Sequence, residues 1–88
     1  MNIEQASRII VKPYITEKTF AMVENESKVC FIVEISATKP QIAEAVKILY
    51  NENVTNVNTA RTIYGKKAFV KFETTANARD LATKIGML

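Results

Sequence analysis

The chain has 88 residues, of which 48% are hydrophobic and 24% charged, with a net charge of +3, a pI near 9.1, one cysteine and no histidine. That balance excludes a disordered chain, and no apolar run reaches the ~20 residues of a membrane helix. The lack of histidine removes the commonest general base and metal ligand, and a single cysteine excludes an internal disulfide.

One domain is expected over residues 1–88. The opening MNIEQASRIIVKP has no basic segment followed by a long apolar run, so it is not read as a secretory signal, and a cytoplasmic protein is expected. Arg8 to Lys12 (RIIVK) is a short apolar strand that Pro13 ends. YITEKTFAMV reads as a short helix capped by Thr16, with Phe20 and Val23 turned inward, and Glu24 to Ser27 make a polar turn.

Lys28 to Ile35 (KVCFIVEI) is a strong strand, because β-branched and aromatic residues fit a pleated surface. Alternation puts Val29, Phe31, Val33 and Ile35 on one face and Cys30, Ile32 and Glu34 on the other. Cys30 is expected to be buried filler, since a free cysteine behaves as a small hydrophobe.

Thr38-Lys39-Pro40-Gln41 fits a capping box, and a proline in the first turn loses no helical hydrogen bond. Ile42, Ala45, Val46 and Leu49 then recur at helical spacing, and Asn51 to Asn53 end the helix. Val54 to Ile63 is a strand rich in Asn and Thr. Tyr64-Gly65 makes a tight turn, and Lys66 to Glu73 returns as the antiparallel partner. Thr74 or Thr75 caps a last helix with Ala78, Leu81, Ala82 and Ile85 inside and Gly86 at its end. The order β-α-β-α-β-β-α predicts an α+β fold with one mostly antiparallel sheet and helices packed against it.

The charges are uneven. Glu24, Glu26 and Glu34 surround Lys28, so the early strand region reads as acidic. From Val54 to Phe72 the charges are Arg61, Lys66, Lys67 and Lys71, with no acid among them. Such clustering suits a polyanion. In KKAFVKFE, Lys67, Phe69 and Lys71 share one strand face at about 7 Å intervals. Lysines meet phosphates, and a ring stacks on a base or packs on a sugar. The bland alternative is a Phe69 covered by a helix or loop on a sheet with two buried faces. Asn58, Thr62 and Arg61 add donors on the neighbouring strand. Lys12, Tyr14, Thr16 and Lys18 surround a helix start, where free N–H groups favour phosphate, and Lys39 stands at the next one. Catalysis is poorly supported: the serines lack a histidine, and Gly65 and Gly86 stand alone rather than in a phosphate-cradling loop.

Four segments together carry a specific pattern: VKPYITEK, ATKPQIAEAVKILYNENV, VNTARTIYGKKAFVKF and ARDLATKIGML. The chain resembles the universal large-subunit ribosomal protein family L-twenty-three over nearly its whole length, from Ile10 to Leu88. Phe72 departs from the leucine more usual there, an apolar swap. The resemblance implies a ribosomal protein without catalysis, cofactor or metal, located in the cytoplasm within the ribosome. It implies binding to large-subunit ribosomal RNA near the polypeptide exit tunnel through Lys12, Thr16, Lys18, Lys39, Asn58, Arg61, Lys66, Lys67, Phe69 and Lys71. It further implies neighbouring large-subunit proteins as partners. Contacts with the signal recognition particle, nascent-chain chaperones and the protein-conducting channel are implied too, with Glu17 as the factor-docking residue. The dipole of a helix first turn accounts for Glu17 equally well. The short hairpin and the lack of a long basic N-terminal extension resemble archaeal members. The rival reading is a non-ribosomal RNA- or protein-binding adaptor of the same fold.

Overall fold

The computed structural model describes residues 1–63 and 65–86. In chain order these form α1 (Ile3–Ile9), β1 (Ile10–Pro13), α2 (Glu17–Glu26), β2 (Lys28–Val33), α3 (Lys39–Tyr50), β3 (Val54–Thr62), β4 (Gly65–Phe72) and α4 (Thr75–Lys84). The strands make one antiparallel sheet in the order β1-β2-β4-β3. The expected α+β architecture and its element order are therefore present, preceded by one helix the periodicity did not reveal. At 7 residues α1 is too short for a repeating apolar stripe, and Ala6 is its only buried residue. Its signature is local: the Asn2 side chain accepts from Gln5 N at 2.8 Å, and the Gln5 side chain accepts from Asn2 N at 3.0 Å.

The other helices start where the capping residues predicted. Thr16 Oγ1 accepts from Thr19 N at 3.1 Å, and Thr38 Oγ1 accepts from Gln41 N at 3.4 Å. Of the two threonines before α4, Thr74 is the cap, accepting from Asn77 N at 3.2 Å. Helices α2 and α3 stop at Ser27 and Asn51, which take left-handed backbone angles with φ of 56° and 57°. In the hairpin Thr62 pairs with Gly65, whose φ of 122° would strain any residue with a Cβ. The Tyr64 half of the expected turn lies outside the described residues.

All four helices and one sheet face build a single core. Ala6, Val23, Ile42, Ala45, Val46, Ala78, Leu81 and Ala82 meet Val29, Phe31, Val33, Val57, Ala68, Val70 and Phe72. The Phe31 ring stacks on Tyr50, with centroids 5.9 Å apart. Two residues expected inside are not. Phe20 is 41% exposed, because the inward side of α2 is held by Thr19 and Val23, one turn apart, and Phe20 sits a hundred degrees round from Thr19. Ile35 is exposed because β2 ends at Val33. The backbone then turns, with Ala37 N donating to Glu34 O at 3.0 Å and Ser36 N to the Glu34 carboxylate at 2.9 Å.

Candidate nucleic-acid interface

The sheet has a second face, away from the core. The register assigns its residues in rows across the strands. One row runs Lys12, Ile32, Lys67, Ala60, and the next centres on Cys30, Phe69 and Asn58. Tyr14 extends that middle row, since its N–H donates to Cys30 O at 2.9 Å. A third row holds Lys28, Lys71 and Asn56. The charge–aromatic–charge order read along β4 is thus repeated in two dimensions: lysines above and below, aromatic rings and an amide between.

The floor of this face is dry. Cys30 is 2% exposed and Ile32 7%, yet neither belongs to the core cluster. Their partners across the ladder are Phe69 and Lys67. The Lys67 ammonium lies 4.1 Å from the centroid of the Tyr14 ring, a cation–π contact that holds both side chains down over the strand. Burial raises the Cys30 thiol to about 11, with the Lys67 charge opposing the shift. That thiol is therefore inert filler near neutral pH, as the sequence suggested. Phe69 is half-buried and shares a groove with side chains of α2, so it is neither fully solvated nor fully covered.

Along one side of this face runs α2. Together they form a groove of about 390 Å³, lined by Tyr14, Thr16, Lys18, Thr19, Met22, Glu26, Lys28, Asn58, Lys67 and Phe69. The side of α2 nearest the sheet is fixed by Thr19, whose hydroxyl donates to Tyr14 O at 2.9 Å and accepts from Thr16 N at 2.8 Å. Since the Thr16 side chain takes up the Thr19 N–H, less of the helix start is free for a phosphate than the sequence implied.

Lys28 is the charge that sequence reasoning placed wrongly. Its neighbours in sequence are acids, but across the sheet it stands directly opposite Lys71. Like charges in that position repel. One acid offsets them: Glu26, 3.5 Å from the Lys28 Nζ. Glu24 is turned away to Arg79, whose Nε and Nη2 lie 2.7 and 2.5 Å from its oxygens and hold its carboxyl below the usual range. A signal in the sequence was available, since Lys28 opens the strand whose even positions carry Cys30 and Ile32.

The structure brings Lys12, Thr16, Lys18, Asn58, Lys67, Phe69 and Lys71 together on this face or its α2 edge. It separates three candidates from them. Arg61 and Lys66 pair with each other on the opposite face, in line with Thr59, Ala68 and Val70. The Lys66 ammonium donates to Ala37 O at 2.7 Å, bracing the loop before α3. Lys39 sits at the start of α3, beside the Val54–Val57 end of β3. Glu17 is exposed in the first turn of α2, with exposed Ile15 and Phe20 close by in sequence. Among the described residues, no group of His, Cys, Asp and Glu side chains is arranged to hold a metal ion, and no helix is long and apolar enough to cross a membrane.

Comparison with known proteins gives a consistent picture. The family model described as Ribosomal protein L23 matches residues 8–84. A protein of Pyrobaculum aerophilum named large ribosomal subunit protein uL23 is 47% identical over 81 residues, covering 91% of this chain and all of the relative. Its namesake in Methanococcus vannielii is 41% identical over 80 residues, covering 90% of this chain and 93% of the relative. The namesake in Tetrahymena thermophila is 40% identical over 81 residues, but those make up only 54% of its length.

Proposed function

The chain belongs to the ribosomal protein L23 family, and from that premise we propose that it is a non-catalytic, structural constituent of the large ribosomal subunit, held there by the open sheet face. Its ligand is large-subunit ribosomal RNA near the polypeptide exit tunnel, and its other partners are neighbouring large-subunit proteins. The observation that carries this reading is the lysine frame. Lys12 and Lys67 stand on one side of the aromatic row and Lys28 and Lys71 on the other, with the last two directly opposed. Glu26 meets Lys28 alone, so like charge on Lys28 and Lys71 across the ladder remains for a phosphate to relieve. A polyanion supplies that, and a neutral or basic protein surface does not.

Glu17 with Ile15 and Phe20 forms a separate exposed surface at the start of α2. Ile15 is 49% exposed and Phe20 41%, and the acid beside them supplies a polar rim. This small patch is the part we assign to factors that meet the nascent chain: the signal recognition particle, chaperones and the protein-conducting channel. It leaves the lysine frame free for RNA.

The test is a salt series with large-subunit RNA fragments and an unrelated RNA of equal length. One fragment should bind tightly at physiological salt. Replacing Lys67 and Lys71 with Gln should weaken binding to every RNA and flatten the slope of log affinity against log salt by about two units. An unchanged slope would remove RNA from this face. Equal, salt-labile binding to all RNAs would leave a merely basic surface and favour a non-ribosomal adaptor.

A further inference from the structure

The groove beside α2 differs in kind from the lysine frame around it. Tyr14, Met22 and Phe69 give it an apolar part that the frame of lysines lacks. A phosphate would meet the lysines and threonines of this groove but leave its apolar part unused. Glu26 would also repel it. For a flat, uncharged, hydrogen-bonding group the same features are favourable. Phe69 offers a ring and Met22 a polarisable thioether. Asn58, directly across the strand from Phe69, carries both a donor and an acceptor for the edge of a base. The Glu26 carboxylate accepts from an exocyclic amino group. The volume of about 390 Å³ lies at the small end of the roughly 300–1,000 Å³ typical of ligand sites. One face of the Tyr14 ring is already occupied by Lys67, so that ring is held in place before any ligand arrives.

We propose that this groove takes a single unpaired RNA base, turned out of its helix, while Lys67, Lys71 and Lys28 hold the phosphates on either side. This rests on the RNA reading above and deepens it. The open face reads a bulge or loop, not continuous duplex, because only an unpaired base exposes a π-face that a side groove can accept.

Two RNA hairpins of equal length and phosphate number test it, one fully paired and one with a single bulged 2-aminopurine. Binding is measured at several salt concentrations, and the ring signals of Tyr14 and Phe69 are followed by NMR. The bulged hairpin should bind roughly tenfold tighter, the ordinary worth of one stacked base. Its fluorescence should change on binding, and both rings should shift. Phe69→Leu, which keeps an apolar side chain beside Cys30, should remove most of the preference for the bulge, read as the ratio of the two hairpin affinities at each salt concentration.

Equal affinity for both hairpins, with a normal salt slope, would overturn the base site and leave RNA binding standing. Failure of both hairpins and of the ribosomal fragments to bind would overturn both readings. Ring shifts produced only by an acidic, aromatic-containing peptide would make the groove a peptide site. Shifts that grow with protein concentration alone would make it a contact between two copies. Either result replaces the base.

Discussion

The two faces of the sheet are built from the same four strands, alternate residues going to each, and they solve opposite problems. On the helix side Val29, Phe31, Ala68, Val70 and Phe72 are covered by four helices and almost fully buried. On the other side Cys30 and Ile32 are also buried, but their partners across the ladder, Phe69 and Lys67, are only half-buried. The first face is sealed by secondary structure, which cannot leave without unfolding. The second is sealed by side chains that present charge and π-surface outward. Burial alone therefore does not distinguish a face sealed by helices from one left open. What distinguishes them is whether the covering groups still have unused interactions to offer.

Substitutions that strike one face and spare the other make this comparison breakable. The largest effect is expected at Phe31, fully buried and stacked on Tyr50. Phe31→Ala should cost about 3–5 kcal/mol in urea unfolding. For an 88-residue domain that is much of the total stability. The paired change of Lys67 and Lys71 to Gln should do the reverse, lowering RNA affinity while leaving the urea midpoint near its original value, because loss of the Lys67–Tyr14 contact is offset by relief of the repulsion between Lys71 and Lys28. A smaller effect is expected at the ends of the helices that cover the core. Thr38→Ala removes the α3 cap and should cost about 1 kcal/mol, read as a lower thermal midpoint without loss of RNA binding.

The smallest effect comes from the exposed pair of Glu24 and Arg79, which bridges α2 and α4. The guanidinium hydrogen bonds lower the Glu24 carboxyl in the folded state, so its contribution is present above the unfolded value and fades as pH falls through the folded one. Thermal midpoints of wild type and Glu24→Gln should differ slightly at neutral pH and converge in acid. Divergence in acid would show that the bridge plays no part in stability.

Much of this division was legible in the sequence. Period-two alternation in KVCFIV and KKAFVKF separated the two faces correctly, and threonine caps marked three helix starts. The errors share a cause. Phe20 and Ile35 are apolar residues next to the end or edge of a pattern, where a shift of one position or an early strand end reverses the face. Lys28, Arg61 and Lys66 were judged by their neighbours in the chain, whereas the sheet pairs them with residues farther away: Arg61 meets Lys66, 5 positions on, and Lys28 meets Lys71, 43 positions on. Charge clustering along the sequence therefore put Arg61 and Lys66 with Lys67, although the pleat sends them to the other side. The groove could not be read from the sequence at all, because its wall is α2 and its floor is β4, and nothing local fixes how far apart they sit.

The strand order also bears on how the molecule is made. The last strand in sequence, β4, lies in the interior of the sheet between β2 and β3. Until Gly65–Phe72 has been synthesised, β2 has only β1 beside it and β3 has no partner strand. Both carry open edges and bare apolar surface through most of translation. Closure is thus a late, long-range event that joins residue 28 to residue 71, and α4 follows it to cover the core face. The row of Lys28 and Lys71 therefore comes into being only when β4 is seated between β2 and β3.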